Sequence, residues 1–161
     1  MCRYNTSYKS YADNSTLTCV TKCPSNPEYY ADDSTKRCVY ICPNNTTPKT
    51  YSDNTTRVCE PVCNQSAFYF ADNTLGRCLI KCPGGYFADQ HSRQCVARCP
   101  VNSDESINTY GDEGDRVCKP LCPLNWLSQN SSRLCVQNCP RNEFANVNNR
   151  RCVAKCDGQI P

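Results

Sequence analysis

In 161 residues the chain has a single histidine, a single methionine, one tryptophan and few large aliphatic side chains. Each shortage excludes something. With His91 alone there is no Ser-His-Asp set, no general base beside a thiol nucleophile, and none of the Cys/His mixture usual at zinc sites. With so few aliphatics the chain cannot bury enough apolar area to offset the entropy of ordering it. No apolar run approaches the ~20 residues of a membrane-spanning helix. Acids and bases are interspersed at net +3, with no basic block to hold nucleic acid. Aromatics with Lys or Arg nearby do occur, but they keep step with the cysteines, which favours packing over base stacking. No glycine-rich phosphate loop occurs. These absences argue against an enzyme. Met1-Cys2-Arg3 runs directly into polar sequence, so the expectation is that a targeting segment has been removed or lies outside this chain.

What is abundant is cysteine. Its 17 residues exceed the ~8–10% that marks a disulfide scaffold. Disulfides persist in oxidising compartments, so the expected location is extracellular or the cell surface. Covalent links must then supply part of what a core would supply.

The cysteines are periodic. Apart from Cys2 they fall into C-x-x-x-C pairs: Cys19/Cys23, Cys38/Cys42, Cys59/Cys63, Cys78/Cys82, Cys95/Cys99, Cys118/Cys122, Cys135/Cys139 and Cys152/Cys156. Proline follows six of them, and only Asn64 and Asp157 break the rule. Eight residues before the first Cys of each pair stand Tyr11, Tyr30, Tyr51, Phe70, Phe87, Tyr110, Leu127 and Phe144, with Trp126 beside the one non-aromatic member. A small residue comes next, then Asp, Asn or Gln, and an Arg lies one or two places before the Cys in all copies but the first. A weaker superperiod of three modules is visible, because Cys59-Glu60-Pro61-Val62-Cys63 and Cys118-Lys119-Pro120-Leu121-Cys122 both follow long modules.

From the opening Cys to the aromatic position the offsets are 9, 7, 9, 7, 5, 11, 5 and 5. All are odd. Side chains on a strand alternate with period two, so this parity predicts β-hairpins that lengthen in two-residue steps. The aromatic–small–Asp segment is the first strand, the residues after it the turn, and Arg-x-Cys-Val the return strand. The expected fold is small, disulfide-rich and mainly β. It is a linear array of about eight single-disulfide hairpins forming a rod, with little helix and no central hydrophobic core. The whole of 1–161 reads as one continuous array, with modules near 2–19, 23–38, 42–59, 63–78, 82–95, 99–118, 122–135 and 139–152, and a further one beginning at 156–161. The aromatic column is expected to pack over its own disulfide or the neighbouring module.

Two connectivities fit. Closure of each hairpin by its own bond gives Cys2–Cys19, Cys23–Cys38, Cys42–Cys59, Cys63–Cys78, Cys82–Cys95, Cys99–Cys118, Cys122–Cys135 and Cys139–Cys152. Cys156 is then unpaired or bonded to a following segment. Interlocked modules such as Cys19–Cys38 with Cys23–Cys42 leave Cys2 over instead. Loop length varies while the register before the closing Cys is fixed, which favours simple closure. The chain reads as a segment of a longer array, and a disulfide between Cys2 and Cys156 of neighbouring chains is the rival account.

No residue set points to catalysis, to a bound cofactor or to a metal. Calcium on Asp53-Asn54-Thr55 or Asp72-Asn73-Thr74 is the weaker alternative to turn capping, since the spaced Ca²⁺ loop pattern is missing. N-linked glycans are the strongest chemical signal. Sequons begin at Asn5, Asn14, Asn44, Asn45, Asn54, Asn64 and Asn130. Asn14, Asn54 and Asn130 each precede the closing Cys by five residues, at the expected tip, where a transferase has access. Asn44 and Asn45 overlap and cannot easily both be modified, and Asn64 abuts Cys63.

Cys19-Val20-Thr21-Lys22-Cys23-Pro24 and Cys135-Val136-Gln137-Asn138-Cys139-Pro140-Arg141-Asn142 resemble the furin-like cysteine-rich repeats of growth factor receptors. Tyr30-Ala31-Asp32 and Phe70-Ala71-Asp72-Asn73 also resemble large cysteine-rich surface proteins of ciliates. The receptor resemblance implies stacked hairpins, each closed from the second Cys of one pair to the first of the next. The expected function is that of an extracellular structural glycoprotein in a surface coat, stalk or filament, partnered by self-assembly or by neighbouring repeats of the same chain. No nucleic acid and no membrane span are expected. A ligand-binding or adhesion ectodomain is the alternative, with Trp126 as an anchor for a partner.

Overall fold

The computed structural model describes residues 2, 8–64, 68–101 and 108–156. Among these are sixteen three-residue strands and no helix, so none is long and apolar enough to cross a membrane. The strands make eight antiparallel hairpins, numbered 1–8 in chain order. These are β1 (Tyr11–Asp13) with β2 (Thr18–Val20), β3 (Tyr30–Asp32) with β4 (Arg37–Val39), β5 (Tyr51–Asp53) with β6 (Val58–Glu60), and β7 (Phe70–Asp72) with β8 (Arg77–Leu79). The rest are β9 (Phe87–Asp89) with β10 (Gln94–Val96), β11 (Tyr110–Asp112) with β12 (Val117–Lys119), β13 (Leu127–Gln129) with β14 (Leu134–Val136), and β15 (Phe144–Asn146) with β16 (Arg151–Val153).

One disulfide closes each hairpin. The bonds are Cys2–Cys19, Cys23–Cys38, Cys42–Cys59, Cys63–Cys78, Cys82–Cys95, Cys99–Cys118, Cys122–Cys135 and Cys139–Cys152. Cys156 is free and exposed. The chain divides into two compact units, Met1–Ile80 and Lys81–Pro161, holding hairpins 1–4 and 5–8. Inside each unit the first strand of one hairpin pairs in parallel with the return strand of the next. In the first unit these pairs are β1 with β4, β3 with β6 and β5 with β8. In the second they are β9 with β12, β11 with β14 and β13 with β16. A parallel contact of this kind is one residue pair wide. The small residue of the first strand donates its N–H to the next hairpin, as in Ala12 to Lys36 O (2.9 Å), Ser52 to Gly76 O (2.9 Å) and Gly111 to Arg133 O (2.8 Å).

Local chemistry explains the turn. Asp13 faces Thr18 and Asp32 faces Arg37, which leaves four-residue loops. Each such loop ends two places before the closing Cys in the left-handed region, with φ between +55° and +63° at Leu17, Lys36, Arg57, Gly76, Arg93, Arg116, Arg133 and Arg150. That residue's N–H returns to the Asp carbonyl, at 2.9 Å from Lys36 to Asp32 and 2.8 Å from Arg57 to Asp53. A side chain in this region costs roughly 1–2 kcal/mol. Glycine would avoid the cost, yet it is used once, at Gly76.

The core is a series of small clusters rather than one body. Tyr11 packs with Ala31 and the Cys23–Cys38 bond of the next hairpin. Tyr30 does the same for Cys42–Cys59, Tyr51 for Cys63–Cys78, Phe87 for Cys99–Cys118 and Tyr110 for Cys122–Cys135. The ring therefore covers its neighbour's disulfide and not its own. Burial follows from this. Tyr30 and Tyr110 are fully buried, whereas Phe144 of hairpin 8, with no following described hairpin, is 48% exposed. Hairpin 1, with no preceding described hairpin, has an exposed Cys19. The need for a small residue beneath the ring is clearest at Gly111, where an added Cβ would stand 2.7 Å from Phe87 ring carbons.

The odd offsets have a different origin from the one the sequence suggests. Both strands stay three residues long in every hairpin. The extra residues form a lead-in loop closed by a backbone bond from the residue before the aromatic to the residue after the opening Cys. The spans widen from Tyr86 N to Pro83 O (3.1 Å), through Tyr29 to Pro24 (3.0 Å) and Thr50 to Pro43 (2.9 Å), to Thr109 to Pro100 (3.4 Å). Such an excursion grows by one residue on each arm, which preserves parity. In hairpin 6 the arms pair, through the antiparallel bridge Val101–Asn108. Thr50 and Thr109 also add side-chain bonds to the same proline carbonyls, at 2.9 and 3.0 Å. The two long modules are thus alike in structure as well as in sequence.

Candidate functional site: the hairpin tips and the joints between hairpins

Two recurrent places carry chemistry: the tips, and the joints where consecutive hairpins meet within a unit. At the tip, the strand-ending carboxylate caps the turn. Asp13 Oδ1 accepts from Ser15 N (2.9 Å) and Oγ (2.7 Å), and Oδ2 from Thr16 Oγ1 (2.8 Å). Asp32 repeats this with Ser34 and Thr35, and Asp72 takes Thr74 N (2.8 Å) and Oγ1 (2.6 Å). The hydroxyl of Ser15, then that of Thr16, and the N–H groups of both hold the Asp13 carboxyl below the ordinary carboxylate range against the opposing effect of burial. At Asp112 burial pushes the other way, but the Lys119 ammonium at 2.7 Å and the Gly114 N–H (2.9 Å) outweigh it and leave that carboxyl lowered too. Lys119 is raised in turn by its bonds to Asp112 and Asp115. The turn-capping role of these aspartates is thus met by neighbouring N–H and hydroxyl groups. Among the described residues no group of three or more His, Cys, Asp or Glu side chains converges as at a metal centre.

The sequons distribute unevenly. Asn14, Asn54 and Asn130 are exposed and directly follow the capping residue. Asn54 Oδ1 accepts a bond from the Tyr30 hydroxyl, and Asn130 Oδ1 one from Tyr110 (2.6 Å). Neither bond uses Nδ2, the atom an N-glycan would take. Asn45 is exposed, Asn44 is half-buried against Gly76, and Asn64 is half-buried after Cys63. Asn5 lies outside the described residues. His91 is exposed in the tip of hairpin 5, where its N–H caps Asp89 at 3.2 Å. Trp126 is half-buried against Tyr110 and the Cys122–Cys135 bond.

At the joints, two interactions recur that the sequence reading did not isolate. The first is a tyrosine–Asx match. Tyr11 donates to Asp33 (2.5 Å), Tyr30 to Asn54, Tyr51 to Asn73 (2.7 Å) and Tyr110 to Asn130. Where the ring is Phe87 or Leu127 the matching tip residue is Glu113 or Val147, neither of which offers an Asx acceptor. A hydroxyl above the next tip and an acceptor in it therefore go together, and the signal was present as a correlation between neighbouring repeats. The second is an arginine clamp. From the left-handed position Arg57 reaches back to Pro24 O (3.0 Å) and Tyr29 O (2.9 Å), Arg116 to Cys82 O (2.9 Å), Arg133 to Pro100 O (3.0 Å), and Arg150 to Cys122 O and Pro123 O. Arg57 also lies 4.7 Å above the Tyr30 ring and Arg133 4.6 Å above Tyr110. Arginines one place later, such as Arg37 and Arg151, are exposed strand residues. The repeat pattern merges these two positions, but only the earlier one clamps.

No protein-family model, curated protein or solved structure matches this chain.

Proposed function

We propose that the chain is a segment of an extracellular structural glycoprotein, a spacer in a surface coat, stalk or filament. The observation that carries this reading is the sameness of the joints. The same ring, small residue, turn and disulfide recur, and among the described residues no single hairpin gathers a catalytic or metal-binding set. Many intramolecular disulfides are typical of secreted proteins. Exposed sequons at tips that follow a capped turn suit glycan display. The resemblance to furin-like repeats and to ciliate surface proteins points the same way. Non-reducing peptide mapping with glycan mass spectrometry, on chain made through the secretory route, is the test. Occupied Asn14, Asn54 or Asn130, with ordered assemblies in electron micrographs, is the expected result. Bare sequons together with a dispersed monomer would remove the reading.

One observation favours an adhesive ectodomain instead. Around hairpins 7 and 8, Leu124, Trp126, Leu127 and Val147 line a shared cleft, and Leu124 and Val147 are 82% and 76% exposed. If that strip binds a partner, Trp126→Ala should abolish adhesion to cells while leaving assembly intact.

A further inference from the structure

Hairpins 3 and 4 meet over a cleft that has a counterpart in the other unit. The counterpart lies between hairpins 7 and 8 and is lined by Pro120, Leu121, Ser128, Asn149, Arg150 and Arg151, among others, with about 70 Å3 of space. At the matching places the first unit has Tyr40, Ile41, Ser52, Leu75, Gly76 and Arg77, joined by Asn44, and the cleft measures about 450 Å3. The backbones correspond closely. Ser128 Oγ donates to Arg150 O at 3.3 Å and Ser52 Oγ to Gly76 O at 3.4 Å. Arg150 and Gly76 are both left-handed, at φ +55° and +63°. What differs is the side chain, because Arg150 fills one cleft and at the other Gly76 brings none, leaving only the shorter Asn44 side chain beside it.

We infer that the Gly76 cleft is a binding site for a guanidinium group, and that the group it fits is an arginine side chain presented by a partner polypeptide. At four joints a guanidinium occupies the corresponding place and donates to carbonyl oxygens of the preceding hairpin's Cys or Pro. The equivalent acceptors here are the carbonyls of Cys42 and Pro43. Pro43 O already accepts from Thr50 N and Oγ1 and, at 3.4 Å, from Thr46 Oγ1. Pro100 O carries the same number with its guanidinium, from Thr109 N, Thr109 Oγ1 and Arg133 Nη2, so a guanidinium here would replace the long Thr46 contact or rest on Cys42 O, as Arg116 rests on Cys82 O. Arg133 also rests on the Tyr110 ring, and Tyr51 is the equivalent ring at this joint. Half-buried Arg77 lines the cleft and opposes a cation, as exposed Arg151 does more weakly beside Arg150, so the carbonyl and ring contacts must outweigh that repulsion. A flat, five-donor cation suits carbonyls set side by side above a ring, whereas a compact ammonium matches only the charge.

The experiment is a titration of the 15N-labelled chain followed by amide shifts. The probes are N-methylguanidinium, methylammonium and a blocked Gly-Arg-Gly peptide. Saturable shifts at Gly76, Asn44 and Ser52 are expected with methylguanidinium, with a dissociation constant on the order of millimolar, and at least tenfold weaker shifts with methylammonium. Tighter binding of the peptide assigns the group to a partner's arginine, and equal binding assigns it to a small free guanidinium compound. Gly76→Arg should abolish the response. Its added Cβ would meet Asn44 Nδ2 at 3.3 Å, which a small movement of that side chain relieves. Arg133→Gly should open a second responsive site around Tyr110. Equal response to methylammonium, shifts that persist in Gly76→Arg, or no second site in Arg133→Gly would each overturn the inference.

Discussion

The joint between hairpins 3 and 4 and the joint between hairpins 6 and 7 use the same parts, except for one. Both lay a tyrosine over the next disulfide, and both tie its hydroxyl to an asparagine in the next tip, Tyr51 to Asn73 and Tyr110 to Asn130. Both follow a long module whose threonine caps a proline carbonyl. At the left-handed position one has Gly76 and the other Arg133. Gly76 sits there without backbone strain but reaches nothing. Arg133 accepts a cost of roughly 1–2 kcal/mol and returns a charge-assisted bond to Pro100 and a cation–ring contact with Tyr110. Two ways of satisfying one backbone conformation thus coexist in a single chain. Arginine recurs at this position because it adds a charge-assisted link to the ring, hydroxyl and backbone contacts that already join consecutive hairpins.

The comparison breaks first if the disulfides are unequal. Removing Cys63–Cys78 or Cys122–Cys135 by paired Cys→Ala changes should each cost ~2–5 kcal/mol in denaturant melts. The loops are of similar size, with separations of 15 and 13 residues. A far smaller loss at hairpin 7 than at hairpin 4 would mean that the Arg133 clamp substitutes for the covalent bond. Arg133→Gly is the next largest. It removes a charged hydrogen bond worth about 1.5–3 kcal/mol and a ring contact of about 0.5–1 kcal/mol, and it relieves the strain, for a net loss of ~1–2 kcal/mol. Hydrogen exchange at hairpins 6 and 7 reads this directly. Unchanged protection there would show that the strain and the clamp cancel.

How much of this was legible follows the range of each interaction. The hairpins and their register were readable, because Tyr30, Asp32 and Cys38 sit at fixed separations whose local geometry has one solution. The left-handed residue was not. Glycine marks that conformation in a sequence, and here Arg57, Arg93, Arg116, Arg133 and Arg150 hide it. The parity of the lead-in loops is legible but its origin is not, since Pro43 to Thr50 and Pro100 to Thr109 close excursions that mimic two-residue strand steps. The tip sequons were placed by counting back from cysteine, and Asn54 and Asn130 do lie in exposed tips. Their tyrosine tethers could be found only by comparing one repeat with the next.

Tyrosine hydroxyls sharpen the comparison further. Tyr110→Phe and Tyr51→Phe each delete one bond to an exposed asparagine that water can satisfy, so each should cost ~0.5–1.5 kcal/mol. If the Arg133–Tyr110 contact depends on how the ring is held, the double change Tyr110→Phe with Arg133→Gly will depart from additivity. The Tyr51→Phe change in the joint without a clamp has no such partner. A cycle that is additive to within the error of the melts would show that hydroxyl and guanidinium act separately.

The smallest expected effect is in pH. In the second unit the described ion pairs belong to hairpin 6, where Lys119 bridges Asp112 and Asp115 at 2.7 and 2.5 Å. The carboxyl of Asp112 is lowered on folding, so its contribution is present above the unfolded carboxylate value and is lost as pH falls through the folded one. The ammonium of Lys119 is raised, so its contribution is complete below the ordinary lysine value and is lost as pH rises through the folded one. Stability of the joint between hairpins 6 and 7 should therefore hold a plateau between the two ranges and decline on both sides. Lys119→Met should flatten both limbs by a few tenths of a kcal/mol, the scale of a partly exposed pair. The joint between hairpins 3 and 4, where Glu60 and Val58 frame the closing Cys59 and no described ion pair is formed, should keep its pH profile in the same variant. If both joints respond alike, the loss is global and the joints are not the independent units that their separate clusters imply.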